Sequence, residues 1–257
     1  ETFTHSWSLC IEEQFYLIFP VVALLIASSR RSIGIAWTAL VGAMLLAMFL
    51  RGFNWYSHGA ENISARSFME YIYYSSFTRF DELLPGVAIA LLKNFHPTMY
   101  ATLLRRGNLL LLAGLASVGL MLYVFQNYEY IRGFGRTFQV VTFGYSFLAI
   151  SFAILVLAAL SPHSLLNRIR IPGATYIALW SYAIYLIHKP LFQVLKAPLT
   201  DYGIDIHGGL GAAIIMAVSI FCGWALYFFV ETPFMKLRER FYPSTTRSSS
   251  FTYQQRA

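Results

Sequence analysis

The sequence predicts an all-α, polytopic transmembrane helix bundle, and three observations carry that expectation. The 257 residues are 57% hydrophobic and only 12% charged, whereas a soluble domain carries about a quarter charged residues. Their mean hydropathy is +0.56. Apolar runs recur at about 9–27, 33–50, 80–92, 108–125, 138–160, 176–195 and 208–230, which reads as about seven spans of roughly 20 residues each. The run at 80–92 is short and contains Pro85-Gly86. It either extends backwards through 71–80 or forms a broken helix against a cavity.

The first run opens with the most informative stretch, HSWSLCIEEQFYLIFP from His5 to Pro20. Adjacent carboxylates at a membrane helix are costly, so they face a bundle interior or a wet cavity. At helical spacing Glu13, Tyr16, Leu17 and Pro20 share one face, and Glu12 lies about 100° round. A plainer reading gives Ser8 the N-cap and the acidic pair the favourable end of the helix dipole. The connection 51–79 is rich in aromatics, among them Trp55, Tyr56, Phe68, Tyr71, Tyr73, Tyr74 and Phe77. Interface anchoring is the first expectation for them, with a sugar-stacking platform as the alternative.

Thr78-Arg79-Phe80-Asp81-Glu82-Leu83-Leu84-Pro85-Gly86 forms a second charged segment. Arg79 and Glu82 pair at i, i+3, and Pro85 frees the carbonyl of Asp81. Such charges beside a helix break serve either as a salt-bridged entrance or as a pocket that binds an anion or orients a hydroxyl. Later, Ser181, Tyr185 and His188 stand at i, i+4 and i+7, with Tyr182 beside them. Pro190 predicts a kink or an end of that helix near His188 and Lys189. Glu231-Thr232-Pro233 closes the last run. His58, His96, His163 and His207 fall in connections, where surface placement suffices for each.

Basic residues divide between alternate connections. The larger set holds Arg30, Arg31, Lys93, Arg105, Arg106, Arg168, Arg170 and the tail residues Lys236, Arg238, Arg240, Arg247 and Arg256. The positive-inside rule places that set in the cytoplasm, with the chain start facing outward. Glu12, Glu13, Arg79, Asp81, Glu82 and His188 then all fall toward the outer half of the membrane. The formal charge of +7 is explained by topology, so no nucleic-acid partner is expected. Residues 1–240 read as one transmembrane domain and 241–257 as a polar, disordered cytoplasmic tail. Cys10 and Cys222 form no framework or metal pair, and core packing is expected of each. Neither a nucleotide-binding loop, a zinc-protease helix, a nucleophile elbow nor an H-x-x-x-x-D acyltransfer motif occurs.

The string from Trp7 to Pro20, W-S-L-x-I-E-E-Q-F-Y-L-I-x-P, resembles the signature of the acyltransferase-3 family. R-x-D-x-L-x-x-G from Arg79, S-Y-x-x-Y-L-x-H-x-P from Ser181 and E-x-P from Glu231 are similar to the family's later motifs and come in its order. The resemblance implies a bacterial inner-membrane O-acyltransferase that moves an acyl group, commonly acetyl, onto a hydroxyl of an envelope glycan such as lipopolysaccharide or peptidoglycan. Acyl-CoA (acetyl-CoA) is the implied co-substrate, with no permanently bound cofactor and no metal. Membrane lipid and the glycan acceptor are the implied partners.

A carboxylate desolvated in a bundle suits a base, so catalytic roles are expected for Glu13 first, Glu12 second, and His188. Trp7, Gln14, Tyr16, Arg79, Asp81, Glu82, Ser181, Tyr182 and Tyr185 would bind substrate, while Glu231 and Pro233 would be structural or line a coenzyme entrance. The family's proposed catalytic histidine lies in a first helix that this sequence does not contain. The chain is therefore expected to be the last two-thirds of a bundle of about ten spans. A glycan-lipid or solute transporter and a non-catalytic membrane subunit are the competing classes, the first separable by translocation without new ester bonds.

Overall fold

A computed structural model describes residues 6–28, 32–128, 137–169, 172–206 and 208–241. Every element among the described residues is helical. Five helices are long and apolar enough to cross a membrane: Trp7–Ala27, Ser32–Ser57, Gly107–Asn127, Val140–Leu160 and Gly209–Phe241. Four of them bury few of their residues, as expected of helices whose apolar surface meets lipid rather than protein, whereas Val140–Leu160 buries a larger share inside the molecule. The molecule is an all-α membrane protein with five helices long and apolar enough to cross a membrane among the described residues.

The two remaining runs fall short for different reasons. α4 (Leu84–Phe95) follows short 3-10 turns and is only 12 residues long. α9 (Ala174–Asp201) has ample length at 28 residues, but its Ser, Tyr, His and Lys residues dilute its hydropathy. α9 also corrects the expected break: the helix continues through Pro190 and Pro198 to Asp201.

The chain divides into two compact units, residues 7–170 in one and 171–257 with 1–6 in the other. In the first unit, α1 (Trp7–Ala27) and α2 (Ser32–Ser57) are followed by the irregular segment 60–82. That segment contains α3 (Ala65–Phe68) and a π-helical turn at Met69–Tyr73. α4, α5 (Pro97–Arg105) and α6 (Gly107–Tyr128) come next, then α7 (Tyr145–Leu160), which a π-helical turn at Val140–Gly144 precedes, and the short α8 (Leu165–Arg168). In the second unit α9 packs along α10 (Gly209–Leu226), and a π-helical turn at Tyr227–Glu231 leads into α11 (Thr232–Phe241).

α2 and α4 run antiparallel, and polar contacts fix both ends. Arg51 meets Asp81 at one end, and Trp37 Nε1 donates to His96 Nε2 at 3.1 Å at the other. The 60–82 segment is a packed cap rather than a surface belt. Trp55, Ile63, Phe68, Ile72 and Val141 form one buried cluster, which corrects the expectation of interface anchoring for Trp55 and Phe68. Tyr56 and Phe77 do stand exposed. Cys10 is exposed rather than packed in the core. α1 already begins at Trp7, so Ser8 lies within it and is not its cap. His58 stacks on Tyr71 at 4.0 Å and His96 bonds Trp37, so both are more than surface fillers. His207, Arg170 and residues 242–257 of the expected tail lie outside the described residues.

Candidate active site

Two linked clusters stand where the start of α1, the C-terminal part of α2, the 78–82 turns and the head of α7 come together. The inner cluster is built on Arg51, a fully buried arginine in an apolar helix. Burying a guanidinium is tolerable only when each donor finds an acceptor and the charge is paired. Arg51 meets both conditions. Nη1 and Nη2 form a bidentate pair with Asp81 Oδ1 and Oδ2 at 2.8 and 2.9 Å. Nε donates to the Thr142 carbonyl at 3.0 Å and Nη1 also to the Thr78 carbonyl. Ser146 Oγ accepts from Nη2 and donates to Asp81 Oδ2. The Thr78 hydroxyl turns back to the Ile72 carbonyl at 2.6 Å. This fully buried network pins the 78–82 turns against α2 and α7.

The outer cluster is what that pinning presents. Arg79, only 8% exposed, lies among three aromatic rings. Its Cζ is 4.0 Å from the centroid of Tyr145, 5.0 Å from Tyr73 and 5.3 Å from Trp7. Each such contact is worth about 0.5–2 kcal/mol, more when desolvated. Glu82 supplies the counter-charge, with Oε1 at 2.9 Å from Nη1. The pair is close but misaligned for a hydrogen bond. Arg79 Nε and Nη1 and Glu82 Oε1 are buried without a hydrogen-bond partner.

Arg79 therefore keeps its charge balanced and its donors unused. Native interiors rarely leave such groups without a reason, and a planar cation with spare donors is suited to an oxyanion or phosphate. Glu82 stands in the turn before α4, outside the five span-length helices. Burial pushes its carboxyl up to about 7, against the downward pull of Arg79, with Asp81 adding a smaller upward push and Arg51 a smaller downward one.

The site residues expected from sequence distribute unevenly. Trp7, Arg79 and Glu82 meet directly, and Asp81 anchors them through Arg51. Of the carboxylates on α1, Glu12 is half-buried, whereas Glu13, Gln14 and Tyr16 are exposed on the helix. The second unit holds the others. On α9, Ser181 Oγ donates to the Ala178 carbonyl at 2.8 Å, Tyr182 is exposed, and His188 Nδ1 lies 2.6 Å from the Tyr185 carbonyl. The Tyr185 and His188 rings are 5.5 Å apart. Glu231 ends the π-helical turn, and Pro233 is the second residue of α11.

Three residues escaped the sequence reading. Arg51, Tyr145 and Ser146 carry no motif that singles them out in the sequence. The available signal for Arg51 was its position, an unpaired cation at the end of an apolar run with a carboxylate in a later one.

No family model matches the chain, and no solved structure matches it. Curated relatives do. A Staphylococcus aureus (strain COL) protein named as a putative O-acetyltransferase is 27% identical over 243 residues, 90% of this chain and 36% of the relative. A Bacillus subtilis (strain 168) protein named as a putative peptidoglycan O-acetyltransferase is 30% identical over 238 residues, 88% of this chain and 34% of the relative. The chain thus spans about a third of the length of these relatives. Along most of its own length, this membrane protein is similar to proteins that carry O-acetyltransferase names.

Proposed function

We propose that the chain is part of a membrane-embedded O-acyltransferase that moves an acyl group, acetyl first, from acyl-CoA to a hydroxyl of an envelope glycan. The carrying observation is Arg79, boxed by three rings, with donors left unused beside a carboxylate of raised pKa. The names of the relatives, one of them a peptidoglycan O-acetyltransferase, point the same way.

In this reading the acceptor oxygen attacks the thioester carbonyl carbon, and its proton passes to Glu82. The developing oxyanion is met by the free Nε–H and Nη–H of Arg79. The C–S bond then breaks, and the thiolate recovers the proton as free CoA leaves. A base with pKa near neutrality matches this task. Glu13, Glu12 and His188 stand as further candidates for proton transfer or positioning, and Trp7 and Tyr73 offer faces on which a sugar ring stacks.

The test uses the complete protein in membrane vesicles, with radiolabelled acetyl-CoA on the cytoplasmic face and base-labile label followed into glycan. Arg79→Gln and Glu82→Gln are each expected to lose about tenfold or more at matched expression, about 1.4 kcal/mol in barrier. Glu13→Gln in the same series separates the two carboxylate assignments. Equal label in wild type, Arg79→Gln and Glu82→Gln would remove this cluster from the mechanism. No label with any acyl-CoA would favour a transporter or a non-catalytic subunit instead.

A further inference from the structure

α7 runs away from the Arg79 cluster, and its far end at Leu160 lies about 22 Å along the helix from Tyr145. Arg105 ends α5 and Arg106 follows it, immediately before the span-length stretch that opens at Gly107. Arg168 ends α8, shortly after the span-length stretch that closes at Leu160. α6 and α7 pack side by side, so these cations share one end of an antiparallel helix pair. Lys93 stands in the last turn of α4, which adjoins α5. All four are exposed. α4 to α8 contain no Asp or Glu, and the two ion pairs among the described residues, Arg51–Asp81 and Arg79–Glu82, involve none of the four.

The positive-inside rule asks only that cations fall on one side of a membrane. It sets no arrangement among them, whereas here a buried knot does. Ser161 and Ser164 are fully buried. Ser161 Oγ donates to the carbonyl of Leu104, the neighbour of Arg105, and accepts from His163 N at 3.1 Å. Asn108, two residues after Arg106, accepts through Oδ1 from Leu165 N at 2.8 Å, at the head of α8. Gly107 permits this approach, because a Cβ there would strike the Ser161 hydroxyl and stand 2.7 Å from Ser164 N. One junction therefore carries Arg105 and Arg106 on one segment of chain and Arg168 on the other. Apolar side chains stand among the cations: Met99 on α5, Leu165 and Leu166 on α8 and the following Ile169 are all exposed. Short helices of this kind suit the headgroup layer, where apolar groups enter the acyl boundary and cations meet phosphate. A soluble phosphate would engage the arginines and leave those four side chains in water.

We infer that the α5–α8 junction binds the phosphate of an anionic phospholipid of the surrounding bilayer, with Arg106 and Arg168 clamping it from two sides and Arg105 and Lys93 at the rim. Guanidinium groups offer paired donors to phosphate oxygens, and this junction supplies them from both chain segments. The Arg79 cluster takes no part, so this inference stands apart from the acyl-transfer reading.

The intact protein, purified in detergent, is titrated with palmitoyl-oleoyl phosphatidylglycerol or with phosphatidylcholine of identical chains, and bound lipid is read by native mass spectrometry. Phosphatidylglycerol is expected to be retained about fivefold better. Arg106→Gln with Arg168→Gln is expected to cut its retention about tenfold. Arg66→Gln with Lys196→Gln removes the same charge from exposed positions on α3 and α9 and should leave retention within about twofold. Should the first double variant unfold, Arg168→Gln alone is expected to lose about fivefold. An excess of free coenzyme A, a soluble carrier of several phosphates, should leave the lipid bound. Equal retention of the two lipids by the wild type, undiminished retention in a folded junction variant, equal losses in both double variants, or displacement by coenzyme A would each overturn the inference.

Discussion

At the scale of single residues, the decisive contrast is between two arginines buried within one turn of the same carboxylates. Arg51 has its donors saturated by Asp81, Ser146 and two backbone carbonyls, so it is a fastener. Arg79 has a counter-charge and aromatic company but unused donors, so it is available to a ligand. The Arg79–Glu82 pair was legible at i, i+3, because a turn brings neighbours in sequence together. The Arg51–Asp81 pair joins residues on separate elements, and no local period reveals it. Glu82 yields a pH prediction. Its carboxyl rises from 4.5 to about 7 through burial, and a base acts only when deprotonated. The proposed acyl transfer, with Glu82 as base, should therefore be full above about pH 8 and fall as pH drops through about 7. Because the folded state holds this proton more tightly than the unfolded chain, the group's contribution to folding is full below about pH 4.5, is lost progressively as pH rises from there, and is gone above about 7. Initial rates across pH 5.5–9 on wild type and Glu82→Gln decide the matter: the inflection near 7 should vanish in the variant. A profile with the same inflection in both would assign it to another group.

Among elements, the apolar runs were read well wherever a helix is simply long and hydrophobic, as in α1, α2, α6, α7 and α10. The sequence misled where tertiary packing overrides pattern. An aromatic-rich connection folded into a buried cap around Trp55 and Phe68, and a helix with two internal prolines ran on for 28 residues. Three π-helical turns, at Met69–Tyr73, Val140–Gly144 and Tyr227–Glu231, had no sequence signal. One of them carries the Thr142 carbonyl that receives Arg51 Nε, in keeping with the placement of such bulges at functional sites. The α6–α7 contact offers a sharper test of packing. A Cβ on Gly114 would stand 2.5 Å from Leu155 Cδ2 and 3.1 Å from the Leu155 backbone nitrogen, whereas one on Gly119 of the same helix meets nothing within 4 Å. Gly114→Ala should therefore cost about 1–3 kcal/mol through overpacking. Gly119→Ala should be neutral or gain about 0.5–1 kcal/mol from helix propensity. Thermal unfolding of the two variants in one detergent measures the difference, and equal midpoints would show that the helices separate freely at Gly114.

For the whole molecule, the open quantity is which ends face which side. The first unit gathers its cations by end: Lys93, Arg105 and Arg168 lie on α4, α5 and α8, Arg106 follows α5, and Ser161, at the end of α7, donates to the Leu104 carbonyl of α5. Arg66 and Arg79 belong to the opposite end, with the 60–82 cap. The positive-inside rule then turns the α5–α8 end toward the cytoplasm and the Arg79 cluster outward. Whether α9 crosses decides the parity of everything after it, because a 28-residue helix reaches across about 30 Å of hydrocarbon whatever its hydropathy. Single cysteines in a Cys10→Ser, Cys222→Ser background read both points with a membrane-impermeant maleimide. Glu61→Cys, exposed in the cap, should label in right-side-out vesicles, and Thr98→Cys on α5 only in inverted ones. If α9 crosses, Asn167→Cys and Tyr202→Cys, at its two flanks, should label from opposite sides. The same side for both would make α9 a surface or re-entrant helix and move its Ser181–Tyr185–His188 stripe out of any transmembrane pocket. Glu61 and Thr98 labelling in the reverse sense would put the Arg79 cluster on the cytoplasmic face, and the acceptor of the proposed transfer would have to be met there.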